Sequence, residues 1–316
     1  MQRPIVVVGS LNLDLVARVN RIPGLGETIT GLDFKTYCGG KGANQAVALG
    51  RLGAQVKMIG KLGRDAFGLQ LRRNLVDTGV DDSCVEEVEG ASGTALITTA
   101  IDGENSIVVI PGANGKVLPE GINRHRDQIE QAAMVLAQLE IPMDAIERLG
   151  DVAQAAGVPF MLDPAPAVPL SHELLKCVTW LTPNETEACM LLGMQPGEGL
   201  PAAETAARLL KLGVKNVILK LGSKGVYLTG SDVESCFVDA FHVKAVDSTG
   251  AGDAFNGAFA YGLAWKGMSA PAAARFACAA AALSVTRAGA QASMATLAEC
   301  QAFLGSESEA FTASKQ

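Results

Sequence analysis

Short apolar runs alternate with helical patterns through the second half of the chain, and that rhythm limits the possible folds most. Met134 to Leu139, Pro159 to Leu162, Val178 to Leu181 and Val217 to Leu221 are each too short for a stable helix and end at turn residues. Between them, residues 143–156, a stretch ending near Leu192 and residues 202–212 carry helical spacing. The N-terminal half opens the same way. Ile5 to Val8 reads as a first strand, residues 41–52 as an amphipathic helix, Val56 to Ile59 as a strand and Phe67 to Thr78 as a helix closed by Gly79. Strands alternating with helices predict an α/β fold of three layers, a mostly parallel sheet covered by helices on both faces.

Two stretches break the rhythm, at about 11–42 and 91–112. In the first, Leu32, Phe34, Thr36 and Cys38 alternate with Asp33, Lys35 and Tyr37. In the second, Thr94 to Ile101 and Ser106 to Ile110 flank the hairpin signal Asp102-Gly103-Glu104-Asn105. These are half-exposed strands, and a small antiparallel β lid built from both is expected. The chain then reads as one domain over 1–305, followed by a polar tail, 306–316, expected to be disordered.

A net charge of −7 with no basic cluster argues against nucleic acid and anionic membrane as partners. The apolar run Phe276 to Val285 is about half of the ~20 residues a membrane span needs. Ile5 to Val8 is too short for the apolar region of a signal peptide. Seven cysteines with no C-x-x-C pair point to a reduced, cytoplasmic protein.

The chemistry concentrates in Asp247-Ser248-Thr249-Gly250-Ala251-Gly252-Asp253, which follows an apparent strand, Phe241 to Val246, and opens an apolar helix. Two glycines around one alanine let successive N–H groups converge on one point, where the positive end of the helix dipole also points. That suits an anion, and the Asp253 carboxylate beside it suits a base for a hydroxyl that receives a phosphoryl group. Taken alone, the string also fits a plain strand-to-helix turn. Gly39-Gly40-Lys41-Gly42-Ala43-Asn44 sets exposed backbone, an amine and an amide at another helix start. Asn12 and Asp14, two apart in an extended segment, face one side, and a carboxylate there suits neighbouring sugar hydroxyls. Asn184 and Glu187 open a helix three apart and suit either magnesium or a simple first-turn acid patch. Glu140 closes a strand. Neither a Walker A loop nor a Gly-x-Gly-x-x-Gly fingerprint is present.

Together Gly39 to Ala46, Asp247 to Asp253 and Thr182 to Glu187 resemble, in order, the two signatures and the Asn-x-x-Glu motif of the ribokinase-like carbohydrate kinases. The similarity runs from about residue 4 to 304. The resemblance implies ATP-dependent phosphorylation of a pentose, with ribose at its 5-hydroxyl favoured by the Gly-Gly-Lys-Gly-Ala-Asn string. It implies Asp253 as base and Gly250, Ala251 and Gly252 as anion hole. Asn12, Asp14, Gly40, Lys41, Asn44 and Glu140 match sugar contacts. Asn184 and Glu187 match positions serving phosphate and Mg2+, the latter directly or through water. Lys220, Gly222, Ser223, Gly225 and Gly252, with Cys278 near the adenine, match the nucleotide site. Asp247, Thr249, Ser284, Arg287, Gly289 and Ser293 match a K+ loop. A homodimer through the lid is also implied. Lys220 stands where threonine is frequent, Cys278 where histidine is common, and Cys38 where a larger or apolar residue is usual, which leaves nucleotide contacts and lid packing open. Kinases of deoxyribose, another sugar or a nucleoside, and a non-catalytic sugar sensor, remain alternatives.

Overall fold

The computed structural model describes residues 2–195 and 197–313. Its strands are β1 (Ile5–Val8), β2 (Asn12–Val19), β3 (Asp33–Gly39), β4 (Val56–Gly63), β5 (Val80–Val88), β6 (Gly93–Ala100) and β7 (Asn105–Ile110). They continue with β8 (Met134–Gln138), β9 (Phe160–Asp163), β10 (Trp180–Leu181), β11 (Asn216–Lys220), β12 (Val226–Gly230) and β13 (Cys236–Val238). The helices are α1 (Lys41–Arg51), α2 (Ala66–Asp77), α3 (Pro119–Arg124), α4 (Arg126–Glu130), α5 (Met143–Ala156) and α6 (His172–Cys177). After them come α7 (Glu185–Leu191), α8 (Ala202–Leu210), α9 (Ala251–Ala260), α10 (Ala270–Val285) and α11 (Leu297–Ala313).

Nine strands form one sheet in the order β13-β12-β11-β10-β9-β8-β1-β4-β5, parallel from β11 to β5 and antiparallel at β12 and β13. The four residues of β1 are fully buried and split between two cores. Ile5 and Val7 pack with α1, α9 and α10, whereas Val6 and Val8 pack with α5 and α8 on the opposite face. A continuous Ile/Val run is therefore what a strand covered on both sides requires.

The second sheet has the order β3-β2-β6-β7. The expected hairpin pairs β6 with β7 antiparallel, β2 pairs antiparallel with β3, and a parallel pairing of β2 with β6 joins the two. The reason lies in the large sheet. β2 continues from β1 and β6 from β5, and those strands run the same way, so both segments leave by one edge.

Two expectations need correction, and one strand was not expected. Residues 241–246 are not a strand; the backbone N–H groups of Val246 and Asp247 donate instead to the carbonyl of Val285. Phe241, Val243 and Ala245 of that stretch line a cavity, so their hydrophobicity reflects a cavity wall. Residues 80–88 form β5, with an acid-rich sequence that suits the outermost strand of the sheet. The tail from residue 306 is helical as far as Ala313, and residues 314–316 lie outside the described residues. No helix among the described residues is long and apolar enough to cross a membrane.

Candidate active site

Helix α9 places Asp253 as its third residue, and Gly250, with φ 75°, is its N-cap. That left-handed conformation is easy only for glycine, so the turn needs this residue to aim the first helical N–H groups outward. The amide of Ala251 is engaged by the carbonyl of Ser248 at 3.2 Å. Of the expected trio, Ala251 thus has its N–H engaged within the turn, and the outward donors begin with Gly252.

Gly257 sets the distance from α9 to α1. A Cβ on it would lie 2.6 Å from Cβ of Ala48 and 2.9 Å from the carbonyl oxygen of Gln45. The close crossing brings Asn44 and Gln45 to the Asp253 carboxylate. Asn44 Nδ2 donates to Oδ2 at 2.9 Å, and Gln45 Nε2 donates to Oδ1 at 3.1 Å. Gln45 Nε2 also donates to Asp163 Oδ2 at 3.1 Å, while its Oε1 accepts from Gln138 Nε2 at 2.8 Å. Asp163 ends β9, and its Oδ1 accepts from Lys220 Nζ at 2.9 Å. Burial raises the pKa of Asp253, Lys41 opposes that rise, and the like charge of Asp163 adds to it. The outcome is a carboxylate less acidic than usual, as a base working near neutrality should be. Lys41 shows the converse. Burial works against its charge, but Asp253, Asp163, Glu140 and Glu187 outweigh burial and raise its pKa.

The expected sugar contacts converge on the same space from β2, α1 and the end of β8. Glu140 Oε2 accepts from Ser10 Oγ at 2.5 Å and from the backbone N–H of Lys41 at 3.0 Å, tying the strand end to the start of α1. Asn12 Oδ1 accepts from Asn114 Nδ2 at 2.7 Å, which turns the Asn12 amide one way. Asp14 lies against Gly39, and a Cβ on that glycine would sit 2.4 Å from Asp14 Oδ2. Burial and then the charge of Glu140 push the Asp14 carboxyl up to about 7. Gly40, the N-cap of α1, has φ 86°.

On the other side of Asp253 lies a cavity of about 360 Å³ lined by Lys220, Gly222, Ser223, Gly225, Gly252 and Cys278. Every expected nucleotide contact except Asn184 is on its wall. Val226, Phe255, Ala282 and Val285 make the rest largely apolar. Burial pushes the Cys278 thiol up to about 11, so it faces the cavity as a neutral group. Asn184 and Glu187 are engaged with each other as a capping box. Asn184 Oδ1 accepts from the Glu187 N–H and Glu187 Oε2 from the Asn184 N–H, both at 2.8 Å. Burial raises the Glu187 pKa against the pull of Lys220.

The proposed ion loop is assembled by Asp247. Its Oδ1 accepts from the Thr249 N–H at 2.9 Å and its Oδ2 from the Gly289 N–H at 2.8 Å, which joins the two segments. Ser284 and Ser293 turn their hydroxyls onto carbonyls of their own turns, and Arg287 pairs with Glu299 at 2.6 Å. Carbonyls, not side chains, are what this loop offers a cation. Among the described residues no group of three or more His, Cys, Asp or Glu side chains is arranged to hold a metal ion.

Gln45, Asn114, Gln138, Asp163 and Gln291 were not legible as site residues in the sequence. Each acts on a partner about 90 to 250 positions away, and amides and carboxylates of this kind are common on any helix, strand or loop. The one available signal was Gln45, which directly follows the Gly-Gly-Lys-Gly-Ala-Asn string.

A family model described as pfkB family carbohydrate kinase matches residues 2–297. The ribokinase of Bacillus subtilis (strain 168) is 43% identical over 304 residues, covering 96% of this chain and 99% of that one. A deoxyribokinase of Salmonella typhimurium is 37% identical over 303 residues, covering 95% and 98%. Among solved structures, Arabidopsis thaliana ribokinase complexed with ribose and ATP superposes with a TM-score of 0.89 at 37% identity, covering 96% of this chain and 99% of that one.

Proposed function

The chain belongs to the pfkB family of carbohydrate kinases, and on that premise we propose that it transfers the γ-phosphoryl group of ATP to the 5-hydroxyl of D-ribose. The observation that carries this reading is the position of Asp253. It lies buried between an apolar cavity that ends on Gly252 and a polar pocket formed by Asn12, Asp14, Gly40, Lys41, Asn44 and Glu140. A hydroxyl held in the polar pocket has one carboxylate to take its proton and a row of helix N–H groups beyond.

In the reaction, the 5-hydroxyl proton passes to Asp253 and a P–O bond forms from the sugar oxygen. The bond from the γ-phosphorus to the bridging oxygen breaks, leaving ADP. The N–H groups at the start of α9 stabilise charge on the phosphoryl oxygens. Lys41, held among four acids, stays protonated and balances the negative groups around it. The lid sheet, carrying Asn12 and Asp14, covers the sugar so that water is kept from competing for the phosphoryl group.

The donor set fits magnesium held mainly by phosphate oxygens and water. Both carboxylate oxygens of Glu187 already serve the capping box, so Glu187 would bind through an intervening water and Asn184 would serve phosphate. When bound, Mg2+ supplies charge neutralisation of the phosphates. The loop joined by Asp247 fits K+ through the carbonyls around Thr249, Ser284, Arg287, Gly289 and Ser293. Homodimerisation through the lid and a cytoplasmic location belong to the same proposal. The seven cysteines are all unpaired thiols, as a reducing compartment requires.

Similarity to a deoxyribokinase supports 2-deoxyribose as a second acceptor. Asp14 separates the two readings, since a carboxylate that bridges vicinal hydroxyls loses one bond to a 2-deoxy sugar. ADP release measured across pentoses, hexoses and nucleosides, with and without K+, tests the proposal. Ribose is expected to give the highest kcat/KM and a product phosphorylated at O5. A nucleoside or hexose turned over tenfold better would overturn it.

A further inference from the structure

The Asp253 carboxylate is oriented by a relay of amides that begins outside the sugar pocket. Asn44 Nδ2 donates to Asp253 Oδ2 at 2.9 Å, and Asn44 Oδ1 in turn accepts from Gln291 Nε2 at 3.0 Å. Gln291 Nε2 also donates to the carbonyl of Gly39 at 3.2 Å, and its Oε1 accepts from Asn74 Nδ2 at 2.5 Å. Asn44, Gln291 and Asp253 are buried, so water does not compete for these bonds.

An amide has one donor end and one acceptor end. The Gly39 carbonyl can only accept, so it forces Gln291 to turn its NH2 group inward. That NH2 then occupies the oxygen of Asn44 and leaves the Asn44 NH2 facing Asp253. A single backbone carbonyl thus fixes the polarity of the whole chain. Freed from Gln291, Asn44 could rotate half a turn and offer its oxygen to the carboxylate, which favours the protonated acid. Gln45, the other donor to Asp253, has no such freedom, because Gln138 and Asp163 hold both of its ends.

We propose that Gln291 is a positioning residue for phosphoryl transfer. By holding Asn44 in one orientation it keeps a donor on Asp253, which favours the ionised carboxylate that receives the hydroxyl proton. This rests on the reading of Asp253 as the base. The charged groups facing Asp253 are Lys41 from α1 and Asp163 from β9, with Lys220 from β11 and Glu187 from α7 behind them. None is displaced by changing Gln291.

The test compares Gln291→Met, close in volume but without hydrogen bonds, and Gln291→Glu, in the wild-type and Asn44→Ala backgrounds. kcat is followed against pH at saturating ribose, which keeps the titration of Asp14 in the free enzyme out of the profile. Gln291→Met is expected to lower kcat roughly tenfold and move the acidic limb up by about half a pH unit or more, the scale of one misdirected charge-assisted bond. Gln291→Glu should do at least as much, since a carboxylate only accepts and draws the Asn44 NH2 to itself. In the Asn44→Ala background the shift should vanish. A lower kcat with an unmoved limb would mark a merely structural role and overturn the proposal, as would a shift that persists without Asn44. Should Asp253→Asn retain normal turnover, the assignment of the base is what fails.

Discussion

Lys220 Nζ lies 2.9 Å from Asp163 Oδ1, an ion pair reaching across the sheet from β11 to β9 over the intervening β10. The carboxylate side chain is 2% exposed and the lysine 14%. A Cβ placed on Gly252 would sit 3.4 Å from the same ammonium, so the pair stands against the turn that opens α9. Lys220 thus neutralises a buried acid that would otherwise repel the charge of Asp253, in addition to walling the apolar cavity.

Lys220→Met is therefore expected to strand Asp163 as an unpaired buried charge, at a cost of roughly 3 kcal/mol measured by urea denaturation. Asp163→Asn on that background should recover most of the loss, because the charge that lacked a partner is gone. The single variant should also show the acidic limb of kcat moved to higher pH, since Asp163 would then repel the ionised base unopposed. Unchanged stability in Lys220→Met would show that the pair is not coupled to folding.

Asp253→Asn is expected to lower kcat by ~10²–10⁴ while ribose KM changes far less. The structure explains why some change in KM should remain. Both carboxylate oxygens of Asp253 accept bonds, from Asn44 and Gln45. An amide there cannot accept at both ends, so Asn44, a proposed sugar contact, must turn or lose its partner. Steady-state kinetics with isothermal titration of ribose separates the two effects. Turnover close to that of the wild type would remove Asp253 from the chemistry.

Most core strands, placed along the chain, and the turn around Asp253 were legible because each is a local pattern. Ile5 to Val8 needs no partner to read as a buried strand, and Gly250-Ala251-Gly252 announces a helix start by itself. What was hidden depends on partners remote in sequence. The acids of β5 mask a strand at the edge of the sheet, and the apolar stretch after β13 covers a cavity in place of pairing. The amides around Asp253 are fixed by the crossing of α1 and α9, which Gly257 permits but does not advertise.

Asp14 should couple sugar affinity to stability with opposite signs. Burial, then the charge of Glu140, raises its carboxyl from 3.8 to about 7 in the folded protein. Between those values the folded state holds a proton that the unfolded state has released, so this group's contribution to stability falls as pH rises toward 7 and is lost above it. The ionised form is the better acceptor for sugar hydroxyls, so ribose KM should fall across the same pH range. Asp14→Asn is expected to raise Tm at pH 8 and to give a higher ribose KM with no inflection near 7. A KM that keeps its pH dependence in the variant would assign that titration to another group.

The lid presents an apolar face that a monomer would leave in water. Registers across the sheet put Leu15, Thr36, Leu96 and Val108 in one row, and Phe34 follows two residues along on the same face, opposite to the one carrying Asp14. Phe34 is 61% exposed, Val108 55% and Leu96 44%. β7 is exposed along its whole length and forms an unpaired edge. Contiguous exposed apolar residues beside an open edge mark an interaction surface, and a second copy of the same lid matches them in chemistry. Light scattering is expected to give twice the chain mass of 32.7 kDa at micromolar concentration. Phe34→Glu combined with Val108→Glu should yield a monomer, because opposed carboxylates in a desolvated contact repel each other. Ribose KM should rise in that variant, since Asn12 and Asp14 stand on the sheet whose outer face has lost its cover. A wild-type monomer under these conditions would show that the lid is complete within one chain.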